Sequence, residues 1–303
     1  MYRFWNSVIC EVNRRLRFRI MFDKVEAFHR PGTIREALRL LHSGKGRARI
    51  VAGGTDVVVE ADRSIRVLID ITKAGLNYIR ERDGGCAIGA TTSLAELEES
   101  RVIRKLAGGI LARAAATCGS VQIRNMATIG GNLANASPAA DLVTPLVALE
   151  AEVVLADARG RHAVPIAEFL SKHRPKESLI AEVAIPAPAR GRWTTMKLGR
   201  LETDISLVNV AVGLGLTPRR RVKWARIALG AVAPAPFRAQ AAESLLLGHE
   251  LDEERLAAAC EEAAQNARPI GDVRASAEYR RDMCRVLVRR ALEECAAPVG
   301  CSL

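Results

Sequence analysis

Two glycine pairs, each beside small residues with a hydroxyl, amide or carboxylate group, are the residues of this chain best suited to bind a ligand. The first pair follows the apolar residues Ile50 and Val51 directly, in the run Ala52, Gly53, Gly54, Thr55 and Asp56. The second run is Thr128, Ile129, Gly130, Gly131 and Asn132. Since glycine has no Cβ, the main-chain N–H groups of such runs can approach a phosphate closely. One Gly-Gly pair is most often only a turn, but two such pairs predict two backbone loops that together hold the pyrophosphate of a dinucleotide cofactor.

The commoner nucleotide-binding and catalytic motifs do not occur in the sequence. Neither G-x-G-x-x-G after a strand nor G-x-x-x-x-G-K-S/T is present, which disfavours a doubly wound nicotinamide domain and a P-loop nucleotidase. G-x-S-x-G and H-E-x-x-H are also absent, and the five histidines fall in predicted turns or exposed ends. We therefore expect a bound cofactor to carry the chemistry while the protein orients it.

Two charged residues outside the glycine runs are further candidates for the site. Asp141 follows the second run in an apolar setting, where a carboxylate requires donors or a ligand hydroxyl. It is interpreted as a ligand of the cofactor, as the cap of a helix that begins near Leu142, or as both. Lys197 is either a cation for the cofactor or a plain surface lysine.

Composition and charge bound the kind of protein. A chain of 303 residues with 49% hydrophobic residues can bury a large core and most often forms two domains. The net charge of +11 favours binding to an anionic partner. Nucleic acid is disfavoured because aromatic residues make up only 4% of the chain and no helix-turn-helix, zinc-finger or RNA-binding signature is present. A dinucleotide and an acidic protein remain as anionic partners.

The cysteines and the first residues of the chain indicate its compartment. The seven cysteines are dispersed without any C-x-x-C, which argues against a disulfide framework and against a zinc or iron–sulfur site in this chain. Residues 1–20 are rich in arginine and lack the apolar core of a signal peptide, so we interpret them as a basic extension ahead of a domain that begins near Met21. No apolar run approaches the ~20 residues that span a bilayer. These features predict a cytoplasmic protein with no membrane span.

Local patterns predict the elements that position these residues. Thr33–Glu36 and Ser93–Glu96 are typical of capping boxes that open helices. Apolar spacing predicts one amphipathic helix over residues 102–117, and a hairpin is expected around the turn at 157–160. The second part of the chain has a strictly alternating, half-buried strand over 205–216 and a partner strand over 222–231. Helices are predicted there over 239–247, 252–267 and 275–295.

On the residues of both runs, the chain resembles the FAD-binding medium subunit of the molybdenum hydroxylases. That family includes xanthine dehydrogenase and aerobic carbon monoxide dehydrogenase. The resemblance covers roughly residues 21 to 296. Its segments are Val51–Asp56, Gln122–Asn132, Ser137–Leu142, Lys197–Arg200, Ile227–Pro234 and Ser276–Arg281.

The resemblance implies an α+β protein of two domains. The first, over residues 21–188, is a two-lobed FAD-binding domain of the PCMH or vanillyl-alcohol-oxidase type. The second, over 192–296, is a CO-dehydrogenase-flavoprotein C-terminal domain with an antiparallel sheet and helices. Both glycine runs are then expected to contact the FAD pyrophosphate, Asp141 to lie near the cofactor, and Lys197 to lie near the flavin.

The resemblance also implies partners and a reaction. A small subunit with two [2Fe-2S] clusters and a large molybdopterin subunit are expected, in a heterohexamer formed as a dimer of heterotrimers. Electrons from the substrate would pass through the clusters to FAD and then to an external acceptor. Two departures from the family pattern are Thr55-Asp56, where the carbon monoxide enzymes carry histidine and serine, and Leu201, where many members carry a second arginine.

We therefore predict an oxidoreductase subunit that binds FAD non-covalently. The alternatives are a stand-alone FAD-dependent NAD(P)H reductase of the same fold and a non-catalytic scaffold in which both runs are only turns.

Overall fold

The computed structural model describes residues 24–60, 62–171 and 177–297. The predicted basic extension, residues 1–20, lies outside the described residues. Among the residues described, none of the helices combines the length and apolar character that crossing a bilayer requires.

The first part of the chain, up to residue 188, contains two sheets. Three short parallel strands form the smaller sheet, in the order β1-β3-β2, against a helix that packs Ala37, Leu38 and Leu41 into the core. Thr33 caps this helix by accepting a hydrogen bond from the Glu36 N–H, but the predicted capping box is incomplete, because the Glu36 carboxylate accepts from the Gly32 N–H and not from that of Thr33. The elements are β1 (Ala27–His29), α1 (Ile34–Ser43), β2 (Ala48–Val51), α2 (Val57–Glu60) and β3 (Val67–Asp70).

The larger sheet of this part has five antiparallel strands in the order β4-β5-β8-β6-β7, and short helices lie between β5 and β6. The predicted hairpin is confirmed as β6 and β7, and Ser93 forms the predicted capping box with Glu96. The strands are β4 (Ile79–Arg82), β5 (Gly85–Gly89), β6 (Glu152–Asp157), β7 (Gly160–Pro165) and β8 (Leu179–Ile185). The helices are α3 (Leu94–Glu99), α4 (Arg101–Lys105), α5 (Ile110–Ala116), α6 (Val121–Met126), α7 (Ile129–Asn135), α8 (Val143–Ala148) and α9 (Ile166–Ser171).

The single helix predicted over residues 102–117 is wrong. The chain forms α4, a 3₁₀ turn over Leu106–Gly109, and then α5. Ala107, Gly108 and Gly109 have positive φ angles of 47°, 61° and 76°, which no α-helix accommodates. Ile103, Ile110 and residues between them do pack in one core, as their apolar spacing indicates. The glycine pair nevertheless interrupts the helix between them.

The second part of the chain is an antiparallel sheet packed by three helices, as predicted. The strand order is β12-β11-β10-β9, and the helices pack on one face of the sheet. The strands are β9 (Arg192–Leu198), β10 (Val208–Leu216), β11 (Val222–Gly230) and β12 (Phe237–Arg238). The helices are α10 (Gln240–Leu246), α11 (Glu253–Asn266) and α12 (Ala277–Ala296).

The prediction that β10 is half-buried is wrong, because both of its faces are buried. Val208, Val210 and Val212 pack in the core with α10–α12. Ala211, on the opposite face, belongs to the core of the first part of the chain. The alternation therefore separates two cores rather than a core and solvent.

A buried arginine ties two loops of the second part together. Arg280, on α12, is only 2% exposed. Its Nη1 donates to the carbonyl of Leu207 at 2.7 Å, and its Nη2 donates to Asp272 Oδ1 at 3.0 Å. One side chain thus fixes the loop before β10 and the loop before α12.

We expect Arg280→Met to lower the free energy of unfolding by about 2 kcal/mol, because it leaves the buried Leu207 carbonyl without a donor. Urea unfolding of the purified chain measures the change. Arg281→Met is the matched control, since the Arg281 side chain makes no hydrogen bond or ion pair with the described part of the chain. Equal stability of the two variants would contradict this role for Arg280.

Candidate functional site

A cleft in the first part of the chain lies between the two glycine-rich runs. The loop between β2 and α2, which we call the first loop (Ala52–Asp56), forms one wall, and the start of α7 forms the other. Ala90 and Ala127 lie between them. The predicted site residues that line the cleft are Ala52, Gly53, Gly54, Thr55, Asp56, Thr128, Gly130, Gly131 and Asn132. The tertiary structure therefore brings the two runs together.

The second run is a helix start rather than the loop that we predicted. Thr128 is the N-cap of α7, with an extended backbone at φ −119°, and its Oγ1 accepts a hydrogen bond from the Gly131 N–H at 3.1 Å. Threonine at this position is a strong helix-start signal. The helix start was not predicted because glycine, which occurs twice in this run, is unfavourable within a helix.

The hydrogen bonds of α7 change which groups can bind a ligand. The Ile129 N–H donates to the Thr92 carbonyl at 3.0 Å, and the Gly130 N–H donates to the Ala90 carbonyl at 2.9 Å. With the Gly131 N–H bound to Thr128, these three donors are already used. In the first loop, by contrast, the N–H groups of Gly53, Gly54, Thr55 and Asp56 have no acceptor among the described residues. The first loop thus contributes four free main-chain N–H groups to the cleft, whereas only Thr128 keeps a free N–H at the start of α7.

The glycines of the two runs serve different purposes. A Cβ on Gly53 would overlap the Met126 carbonyl, and a Cβ on Gly130 would lie 2.6 Å from the Ala90 oxygen, so both allow the backbone to pack on itself. A Cβ on Gly131 would meet only the Thr128 Oγ1, at 3.0 Å. Because Gly131 lines the cleft and has no side chain, the space beside it in the cleft stays open.

Asn132 and Asp56 supply the polar side chains best placed for a ligand. The side-chain oxygen of Asn132 is buried and has no hydrogen-bond partner among the described residues, which is costly unless a further group binds there. Asp56 accepts a hydrogen bond from the Asn135 Nδ2 at 2.8 Å. Burial raises the pKa of Asp56, the nearby Glu60 carboxylate adds to this, and Arg49 opposes it.

Asn135 also lines the cleft, and our sequence analysis missed it. It lies four residues after Gly131 and three after Asn132, so the three share one face of a helix. This signal becomes visible only when residues 129–135 are recognised as helical.

Asp141 and Lys197 bind each other and do not line the cleft. The Lys197 Nζ donates to Asp141 Oδ2 at 2.7 Å and to the Thr117 carbonyl at 2.7 Å. Both side chains are buried, at 8% exposure for Asp141 and 10% for Lys197, so the interpretation of Lys197 as a surface lysine is wrong. The interpretation of Asp141 as a helix cap is also wrong, because α8 has Leu142 at its N-cap and no side-chain capping bond.

The remaining partners of Asp141 come from the second part of the chain. Ser206 and the Asn209 Nδ2 both donate to its Oδ1, and the Thr144 hydroxyl donates to Asn209 Oδ1. Cys118 lies beside this network. Burial raises the pKa of its thiol to about 12, with further contributions from Asp141 and from Asp56 of the first loop. Lys197 and Arg124 oppose this rise in the pKa of Cys118.

We expect Lys197→Met and Asp141→Asn each to destabilise the cofactor-free chain by about 3 kcal/mol, because either change leaves the opposite charge buried without its partner. The double variant is expected to be less destabilised than the sum of the single changes. Urea unfolding of the four proteins completes the cycle. Additive effects, or a loss of only about 1 kcal/mol as for a helix cap, would contradict the buried ion pair.

Comparisons with known proteins agree with this structure. Residues 20–188 match the family model described as the FAD binding domain in molybdopterin dehydrogenase. Residues 193–295 match the CO dehydrogenase flavoprotein C-terminal domain. The two matches cover nearly all of the described chain.

Two curated relatives and one solved structure illustrate matches over almost the whole length of both proteins. The chain is 36% identical to the 6-hydroxypseudooxynicotine dehydrogenase complex subunit alpha of Paenarthrobacter nicotinovorans, over 89% of this chain and 93% of that protein. It is 31% identical to the xanthine dehydrogenase FAD-binding subunit of Escherichia coli O157:H7, over 92% of this chain and 99% of that one. A carbon monoxide dehydrogenase structure from Hydrogenophaga pseudoflava superposes with a TM-score of 0.85 at 32% identity, covering 89% of this chain and 97% of that one. The chain therefore belongs to the family of FAD-binding subunits of the molybdenum hydroxylases, as its sequence predicted.

Proposed function

We propose that this chain binds FAD in the cleft between the first loop and α7, and transfers electrons within a molybdenum hydroxylase. It accepts them from the [2Fe-2S] clusters of a small partner subunit and passes them to an external acceptor. The observation that carries this proposal is that a loop with four free N–H groups lines the same cleft as a glycine-rich helix start, in a family of FAD-binding chains.

In this proposal each wall of the cleft has its own task. The N–H groups from Gly53 to Asp56 donate to the pyrophosphate, which carries negative charge and requires donors. Gly131 permits close approach of the phosphates, Thr128 and Asn132 add side-chain contacts, and Ala52 and Ile129 support the two walls. FAD, when bound, supplies the exchange of electrons. Asp141 and Lys197 are proposed to shape the flavin end of the site through their shared network.

The same family supports a proposal about the assembly. The partners are a small iron–sulfur subunit and a large molybdopterin subunit, in a dimer of heterotrimers.

We propose non-covalent attachment of FAD because the residues that line the cleft in the described ranges include no histidine or cysteine. The division into domains at residues 188–192 falls between β8 and β9. The five described cysteines are free thiols. This supports the proposed cytoplasmic location, because thiols stay reduced in the cytoplasm.

An absorption spectrum of the purified chain tests the central proposal. Flavin bands near one equivalent, FAD released on heating, and no iron–sulfur absorption are the expected results. Flavin that stays in the pellet after acid precipitation would contradict non-covalent binding. A colourless chain that ignores added FAD would favour the scaffold alternative, and rapid NAD(P)H oxidation by the chain alone would favour the stand-alone reductase.

We expect Gly131→Val to reduce bound FAD from near one equivalent to below about one tenth, because a branched side chain occupies the space beside the phosphates. Flavin absorbance per protein measures this loss. The matched control is Gly32→Val, since a Cβ on Gly32 meets no atom within 4 Å and Gly32 lies outside the cleft. Full flavin content in a folded Gly131→Val protein would overturn the assignment of this glycine to the site.

A further inference from the structure

The first loop contacts the last residue of α6 and the last residue of α7. At its start, Gly53 packs on the Met126 carbonyl, just before α7. At its end, Asp56 Oδ1 accepts a hydrogen bond from Nδ2 of Asn135, the last residue of α7. Gly53, Asp56 and Asn135 all line the cleft.

The two attachments differ in kind. The contact of Gly53 is between backbone atoms and requires no side chain. The contact of Asp56 is one hydrogen bond of 2.8 Å between a carboxylate and an amide, a charge-assisted type that is stronger than a neutral one. The second attachment is therefore the one that a single substitution can remove.

Little else in the described ranges fixes the end of the first loop. The helix that follows it, α2, has no buried residue. Its Glu60 pairs with Arg49 at 2.8 Å, but Arg49 lies on β2, on the same side of the cleft. Without the bond to Asn135, the Asp56 end of the loop has no polar contact with α7.

We propose that Asn135 is a positioning residue of the FAD site. By donating to Asp56, it holds the four free N–H groups of the first loop at the distance from α7 that a diphosphate requires. This inference rests on the proposed function, because it concerns the same cleft. Since a fixed loop binds without the cost of ordering it, loss of this bond weakens the binding of the diphosphate-containing cofactor.

An exchange of the two side chains tests the proposal in the full chain, stripped of cofactor and titrated with FAD. Asn135→Asp places two carboxylates against each other and is expected to raise the Kd for FAD at least about tenfold. The double variant Asp56→Asn with Asn135→Asp restores an amide-to-carboxylate bond with the roles reversed. It is expected to return the Kd to within about threefold of the native value. If Asn135 had only a structural role, Asn135→Asp and the double variant would lose the same amount of thermal stability. The double variant would then not recover affinity for FAD.

Asn77→Asp is the matched control, because the Asn77 Nδ2 makes the same kind of bond to Glu96 Oε1, at 2.9 Å, outside the cleft. It is expected to leave the Kd for FAD unchanged. Native affinity in Asn135→Asp would overturn the inference, and so would failure of the exchanged pair to recover affinity. Failure of the native chain to bind FAD would instead contradict the proposed function.

Discussion

The buried ion pair between Asp141 and Lys197 is the contact on which the arrangement of the two parts of the chain depends. Asp141 belongs to the first part, whereas Lys197, Ser206 and Asn209 belong to the second, and all three donate to its carboxylate. A buried charge is tolerated only where partners surround it. Because separating Asp141 from Lys197 would leave an uncompensated buried charge, arrangements that break this pair are disfavoured.

Packing on β10 reinforces the same arrangement. One face of this strand carries valines into the core of the second part, and the other carries small residues toward the first. Gly213 is among the small residues, and a Cβ there would overlap the ring of Trp193. Trp193 lies 5.2 Å from Trp224 between ring centroids, so the two indoles fill the space that small residues leave. The sheet that supplies Lys197 is thus held between two cores.

Within the cleft, the two glycine-rich runs are similar in sequence but opposite in hydrogen bonding. The N–H groups at the start of α7 are used by the carbonyls of Thr92 and Ala90 and by the Thr128 hydroxyl. This makes α7 a rigid wall, fixed to the connection after β5. The first loop keeps its donors free, and its position depends on contacts with α7. The site therefore combines a prearranged wall with a loop of donors held beside it.

Sequence patterns alone were enough to predict the family, the composition of both walls, the caps at Thr33 and Ser93, the hairpin of β6 and β7, and the helices of the second part. These signals are local, because caps, turns and periodicity depend on residues a few positions apart. That Asp141 binds Lys197, 56 residues away, and that Asp56 binds Asn135, 79 residues away, follows from the fold of the whole chain. The same fold buries both faces of β10. Local spacing cannot predict partners this distant in sequence, because their hydrogen bonds and packing depend on which segments the tertiary fold brings together.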